Sequence, residues 1–378
     1  MASQPKKIWA ALAVGLCIAA LVAVGVVALL RSGPAEQAGE QLPKRFSYDI
    51  QALREIDPAL IKYEEKLSIP LKMDTPRAIA VGPPHENDNS TKQPDQNISN
   101  QKIYVGGDQK IVVFQPDGIQ VASYALDFEP RALAVTTKRI YVAAKSRVAV
   151  LDNNGGLIVT WPERGGSALF TSITVNPAEN ENGGNDIYVA DAGNRLVLRY
   201  DSDGKLLGEI NRLSSLDQTS ADPKASRLGF VIPSPYFDVA MGGDGLLRVV
   251  NPGLHKIEAY TPEGLLEQPL SWGTTGFDIK GFCGCCNPAA MAIFPDGRFV
   301  TGEKGLPRVK VYSPEGHFQC VVAGPKTLDP TAKNAEDTRD EHKLTAVDLA
   351  VDSNSQVLVL DPKAKAVRIF VRKVEDRG

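Results

Sequence analysis

The chain has 378 residues, enough for two average domains or one large all-β domain, so length leaves the number of domains to internal repeats. Its 42 basic and 45 acidic residues give a formal charge of −3, which offers no basic excess for a phosphate backbone and argues against nucleic acid as a partner. Plentiful glycine (33) and proline (26) with ordinary charge exclude a disordered chain and favour a turn-rich fold.

The first element runs from Ile8 to Leu30: 23 residues without a charge, preceded by Lys6 and Lys7 and followed by Arg31. At about 1.5 Å per residue it spans a hydrocarbon layer of about 30 Å. Residues 1–31 are therefore predicted to be a cytoplasmic tip and a transmembrane signal anchor, with the remainder extracytoplasmic, or periplasmic in a bacterium. A cleaved signal peptide is the competing reading, but no small-x-small site follows the apolar run cleanly. Cys17 lies too deep in the run for a lipidation cysteine and reads as a small apolar residue. Residues 32–65 are expected to form a stalk and a short helical segment. Gly33, Pro34, Gly39 and Pro43 mark the stalk, whereas Ile50, Leu53, Ile56, Leu60 and Ile61 recur at helical steps broken at Asp57-Pro58.

From Leu67 the pattern changes to short β-branched runs between Gly, Pro and Asp. One apolar strand recurs six times: PRAIAV from Pro76, PRALAV from Pro130, TSITV from Thr171, SPYFDVAM from Ser234, NPAAMAIF from Asn287 and LTAVDLAV from Leu344. Each is followed by a second strand, such as IYVGG from Ile103 and IYVADAGN from Ile187. In five units a third strand leads into a tight turn, at Asp117-Gly118, Asn154-Gly155, Asp203-Gly204, Glu263-Gly264 and Glu315-Gly316. Four strands per unit is the content of a propeller blade, so residues 66–374 are predicted to form an all-β, six-bladed β-propeller. The sixth unit stops after its third strand, AVRIFVRK. Strand 66–72 from the N-terminal side is expected to complete it and lock the ring.

The segment IYVADAGNRLVLRYDSDGKLL, 187–207, resembles an NHL repeat, and the resemblance extends in degenerate form over 67–374. The CGCCNP and EKGLPRVKVY blocks resemble those of a membrane-anchored bacterial branch of such proteins, a branch without an assigned activity. The resemblance implies the propeller fold and a face that binds a protein or small ligand. Some six-bladed relatives are lyases with zinc held by several histidines, or calcium-dependent lactonases. Only His85, His255, His317 and His342 are present, and their positions argue against a three-histidine zinc site. A calcium site of the lactonase kind would need Asp191, Asn251, Glu303 and Asp361 to converge, and the flanking motifs of those families are not visible.

Two polar insertions, 85–100 and 326–343, read as surface loops. The first carries Asn-Ser-Thr from Asn89 and Asn-Ile-Ser from Asn97, whose meaning as glycosylation acceptors depends on the host. The chemistry-bearing candidate is GFCGCCNP, with Cys283, Cys285 and Cys286 just before the fifth unit. Blade crossings share a face with the loops between second and third strands, so Asp191, Asn251, Glu303, Lys304 and Asp361 are expected to ring these thiols at the channel mouth. Glu303 and Lys304 read either as a solvated loop pair or as an acid and a cation for a substrate. Three readings of the cysteines stand: a local disulfide, a copper or zinc site, and a redox centre. No CxxC spacing supports the last two. Cys320 is expected in an outermost strand, about 14 Å from the innermost one and beyond the reach of about 4.4 to 6.8 Å that a disulfide allows. The chain is thus expected to be a membrane-tethered binding module or, in the second function class, a metal-binding or redox protein using the cysteine cluster.

Overall fold

The computed structural model describes residues 50–84, 100–180, 183–211, 229–284, 286–330 and 346–374, all within the compact unit Ile50–Gly378. The expected anchor, Cys17, Cys285, His85, His342 and most of both insertions lie outside the described residues. Among the described residues no helix is long and apolar enough to cross a membrane. The short helix α1 (Ile50–Arg54) is followed by a 3-10 turn, Pro58–Leu60. Asp57 Oδ1 accepts from the backbone N–H of Ala59 at 2.9 Å, so the break read at Asp57-Pro58 is a capped turn.

Next comes β1 (Tyr63–Pro70), and then the blades in chain order. Blade 1 holds β2 (Pro76–Val81), β3 (Ile103–Gly107), β4 (Lys110–Phe114) and β5 (Gln120–Ala125). Blade 2 holds β6 (Ala132–Val135), β7 (Ile140–Ala143), β8 (Val148–Leu151) and β9 (Leu157–Thr160). Blade 3 is β10 (Phe170–Glu179), β11 (Asn185–Asp191), β12 (Leu196–Tyr200) and β13 (Leu206–Ile210). Blade 4 has β14 (Val239–Met241), β15 (Leu247–Asn251) and β16 (Lys256–Tyr260). Blade 5 comprises β17 (Ala290–Ile293), β18 (Phe299–Gly302), β19 (Val309–Tyr312) and β20 (Phe318–Ala323). Blade 6 is β21 (Asp348–Val351), β22 (Val357–Asp361), β23 (Ala366–Arg372) and β1. The chain is an all-β six-bladed propeller.

Burial follows strand position. The second strands β3, β7, β15 and β22 are buried along their whole length, packed on both faces between neighbouring blades, whereas the outermost β9 is exposed throughout. Apolar clusters occupy the blade interfaces. The one between blades 6 and 1 joins Ile69, Leu360 and Val367 to Ile79, Val105 and Phe114, and the one between blades 2 and 3 joins Tyr141, Val150 and Trp161 to Ile187, Val189 and Tyr200. At roughly 1.5–3 kcal/mol for each fully buried large side chain, these interfaces hold the ring.

The ring closes between the two ends of the chain: β1 pairs antiparallel with β23 from Tyr63↔Arg372 to Pro70↔Ala366. This strand begins and ends earlier than the expected 66–72. The residues before it also cover the edge of blade 5, where Lys62 N–H donates to Val321 O at 3.1 Å. Blade 4 departs from the four-strand expectation. Its outer position is filled by a segment that pairs only at Tyr260↔Leu266 and Ile257↔Trp272, because Pro269, within the 3-10 turn Gln268–Leu270, cannot donate to a ladder.

The turn doublets read from sequence all place glycine at positive φ, and one reason is contact as well as conformation. A Cβ on Gly204 (φ +87°) would lie 2.3 Å from Trp161 Cδ1 of the preceding blade. Trp161 stacks in turn against Tyr200, with ring centroids 4.9 Å apart.

Candidate functional site

At the ends of the second strands of blades 1, 3, 4 and 5, a polar side chain reaches back to the crossing that enters the blade. Asp191 Oδ1 accepts from Leu169 N–H at 2.9 Å and from Gly193 N–H at 3.1 Å. Asn251 Oδ1 accepts from Val231 N–H at 2.9 Å, and Glu303 Oε1 faces Cys283 N–H at 3.4 Å. Asp108 does the same in blade 1, accepting from Asp74 N–H at 2.6 Å and Thr75 N–H at 2.8 Å. Asp361 holds its own loop through Ala364 N–H at 2.9 Å and takes Arg368 Nη1 at 3.4 Å. Asp191, Asn251, Glu303 and Asp361 are all buried, at 0 to 2 % exposure, and their acceptor positions are largely filled by the fold. Asp191, Asn251 and Glu303 fasten crossings to loops, and Asp361 fastens its own loop to β23.

Two of the predicted residues do meet. Cys283 and Glu303 lie in one buried cluster with Arg308 and Lys310, side chains that the sequence reading did not single out. Arg308 Nε donates to Glu303 Oε2, and its Nη2 lies 3.2 Å from Cys283 Sγ. Lys310 Nζ donates to Gly281 O at 2.7 Å, Ile279 O at 3.2 Å and Glu303 Oε1 at 3.3 Å, which uses its three hydrogens. The rings of Phe282 and Tyr312 flank the ammonium at 4.8 and 5.4 Å. Burial pushes Lys310 down to about 8, with the Glu303 charge opposing. Burial and then the Glu303 charge raise the Cys283 thiol, against the pull of Arg308 and Lys310. Asn287 closes the block: its Nδ2 donates to Cys283 O at 2.6 Å and Lys304 O at 3.0 Å, and its Oδ1 accepts from Lys304 N–H at 2.9 Å. The CGCCNP and EKGLPRVKVY blocks thus form one packed unit.

The Cys283 thiol is free, and Cys286 is buried nearby in sequence at 2 % exposure. A pairing of Cys285 lies outside the described residues. Cys320 is a free, buried thiol in β20. Among the described residues no three His, Cys, Asp or Glu side chains are grouped to hold a metal ion. His255 is held in the fold by Nδ1 at 2.9 Å from Asn287 O.

A separate concavity lies on the inner strands. The six innermost strands, β2, β6, β10, β14, β17 and β21, surround a cavity of about 660 Å3. None of Asp191, Asn251, Glu303, Lys304 and Asp361 lines it; its polar wall includes Arg77, Arg131, Thr171, Tyr236, Asp238 and Asp348. Asp238 bridges blades 4 and 5 by accepting from Met291 N–H at 2.6 Å, and Asp348 bridges blades 6 and 1 by accepting from Ile79 N–H at 2.8 Å. Both carboxyls line the channel and are partly buried. Burial lifts Asp238 to about 6, and burial together with the Asp238 charge lifts Asp348 to about 7. Tyr236 reaches from the entry of blade 4 to that of blade 6, where its hydroxyl accepts from Ala346 N–H at 3.4 Å. Lys304 sits over the Tyr236 ring at 4.9 Å, which puts this predicted cation beside a channel-lining residue.

Sequence offered a signal for the two carboxyls: SPYFDVAM and LTAVDLAV each carry one acid in an otherwise apolar inner strand.

No protein-family model matches the chain, and no curated protein matches it. Among solved structures, the chain is similar to a protein of unknown function from Bacteroides thetaiotaomicron, at 15% identity and a TM-score of 0.51, covering 82% of this chain and 72% of that one. It also aligns with a streptogramin B lyase at 13% identity, over 84% of this chain and 100% of that one, with a TM-score of 0.48. A virginiamycin B lyase from Staphylococcus aureus aligns at 12% identity over 82% of this chain and 100% of that one, also at 0.48. The likeness to the Bacteroides protein is one of fold alone.

Proposed function

We propose that the chain is a membrane-tethered, extracytoplasmic binding propeller of NHL type, and that its ligand is a small molecule held in the central channel. The observation that carries this reading is the cavity of about 660 Å3 within the six inner strands, a size within the range of about 300–1,000 Å3 common to small-molecule sites. Its wall alternates apolar side chains with a few polar groups, the mixture that orients a ligand. The apolar run Ile8–Leu30 supports the tether, and IYVADAGN from Ile187 supports the repeat type.

Ala134 lines the channel and is only partly buried, so tryptophan there fills the cavity from a wall position. Screening a fragment library by ligand-observed NMR against the full chain in detergent is expected to give ligands whose signals vanish in Ala134→Trp while the variant keeps the wild-type circular dichroism spectrum. Ligands that bind the blocked variant equally well would contradict the channel as the site.

The second reading, thiol or metal chemistry at Cys283, Cys285 and Cys286, has in its favour the Arg308 guanidinium at 3.2 Å from Cys283 Sγ. Burial of the thiol and of every charged group around it favours a structural role instead.

A further inference from the structure

Five charged side chains line the channel: Asp74, Arg77, Arg131, Asp238 and Asp348. Two form exposed ion pairs with partners that do not line it, Arg77 with Glu129 at 2.9 Å and Asp74 with Lys365 at 2.9 Å. The other three have no ion-pair partner among the described residues. Arg131, at the start of blade 2, uses Nε to donate to Phe170 O at 3.1 Å, which leaves its terminal N–H groups for other acceptors. Asp238 accepts from Val239 and Met291 N–H and is also hydrogen-bonded to the Ser172 side chain, and Asp348 accepts from Leu349 and Ile79 N–H. A carboxylate offers about four acceptor sites, so both retain capacity. The cation stands on blade 2 and the acids on blades 4 and 6, with no ion pair between them.

One guanidinium and two carboxyls, each partly buried, line one channel without pairing among the described residues, and the charge complement of that wall is a molecule with an anionic group at one end and a cationic group at the other. The planar guanidinium suits a carboxylate, and two acceptor carboxyls suit an ammonium with three N–H donors. We propose that the channel selects a zwitterion of the amino-acid or short-peptide class, its carboxylate on Arg131 and its ammonium on Asp238 and Asp348. This rests on the channel being the ligand site.

The test uses the full chain in detergent and a set of dipeptides, each compared with its N-acetyl and C-terminal amide derivatives by ligand-observed NMR titration. Free dipeptides are expected to bind, with affinity falling about tenfold or more on capping either end. Arg131→Met is expected to abolish the penalty for amidation while keeping that for acetylation, and Asp348→Asn to reduce the penalty for acetylation alone. Such a selective loss is not what misfolding produces. Capped and free forms binding alike, or no dipeptide binding at all, would overturn the zwitterion class. If other fragments are still excluded by Ala134→Trp, only the class falls; if none is, the channel reading falls with it.

Discussion

Asp348 carries a pH dependence that the channel imposes. Its carboxyl is raised to about 7, and that of Asp238 to about 6, so the folded chain holds protons that the unfolded chain releases near its ordinary value of 3.8. A raised acid contributes stability that is complete below the unfolded value and is lost as pH rises through the folded one. Relative to wild type, Asp348→Asn should therefore gain as pH rises from about 4 to 8, by roughly 1–2 kcal/mol once solvent in the channel screens the charge. Urea midpoints across that range measure it, and a flat difference would contradict the assignment. Glu303 makes the opposite case, since it is the anion between buried Arg308 and Lys310. Glu303→Gln should cost about 3–5 kcal/mol in urea unfolding by leaving two cations uncompensated; a loss near zero would mean that the cluster relaxes. At this scale the sequence was only partly legible. Glu303 and Cys283 stood out by type and position, but Lys310 in VKVY looks solvent-facing under simple alternation. Blades pack on both faces, so it is fully buried instead.

Elements were far more readable, because a repeat states its own boundaries. All five turn doublets follow third strands, four of them leading into a fourth strand, and each glycine takes the positive φ expected of it. What single-repeat logic missed is that these glycines also receive side chains from the neighbouring blade, Trp161 at Gly204 and Trp272 at Gly316. Gly204→Ala therefore meets a contact as well as a strained φ, and a loss of more than about 2 kcal/mol is expected. A thermal midpoint equal to that of wild type would remove the contact from the account. Blade 4 marks the limit of pattern reading. Glu263-Gly264 announces a turn and so a fourth strand, but Pro269 breaks the ladder and leaves bridges in its place.

Ring closure was legible at the scale of the whole chain because one unit lacked a strand and the other end of the chain supplied an alternating one. Register was not, since the pairing extends back to Tyr63, beyond the alternation of KLSIPLK. The lining of the expected channel was invisible for a different reason: it is built by six strands distant in sequence, and no local pattern announces which of their side chains share a cavity. The tether belongs to this scale as well. If Ile8–Leu30 anchors the propeller outside the cytoplasm, protease added to intact spheroplasts should degrade the propeller while an epitope placed before Lys6 survives; the reverse pattern would invert the topology. The claim on which the functional account turns is the channel itself, and crystals of the chain soaked with small zwitterions test it most directly. Density among the six inner strands, in contact with Arg131 at one end and Asp238 or Asp348 at the other, is the expected result. Ligand density confined to the Cys283 block or the outer blade edges, in crystals whose channel solvent exchanges freely, would contradict it.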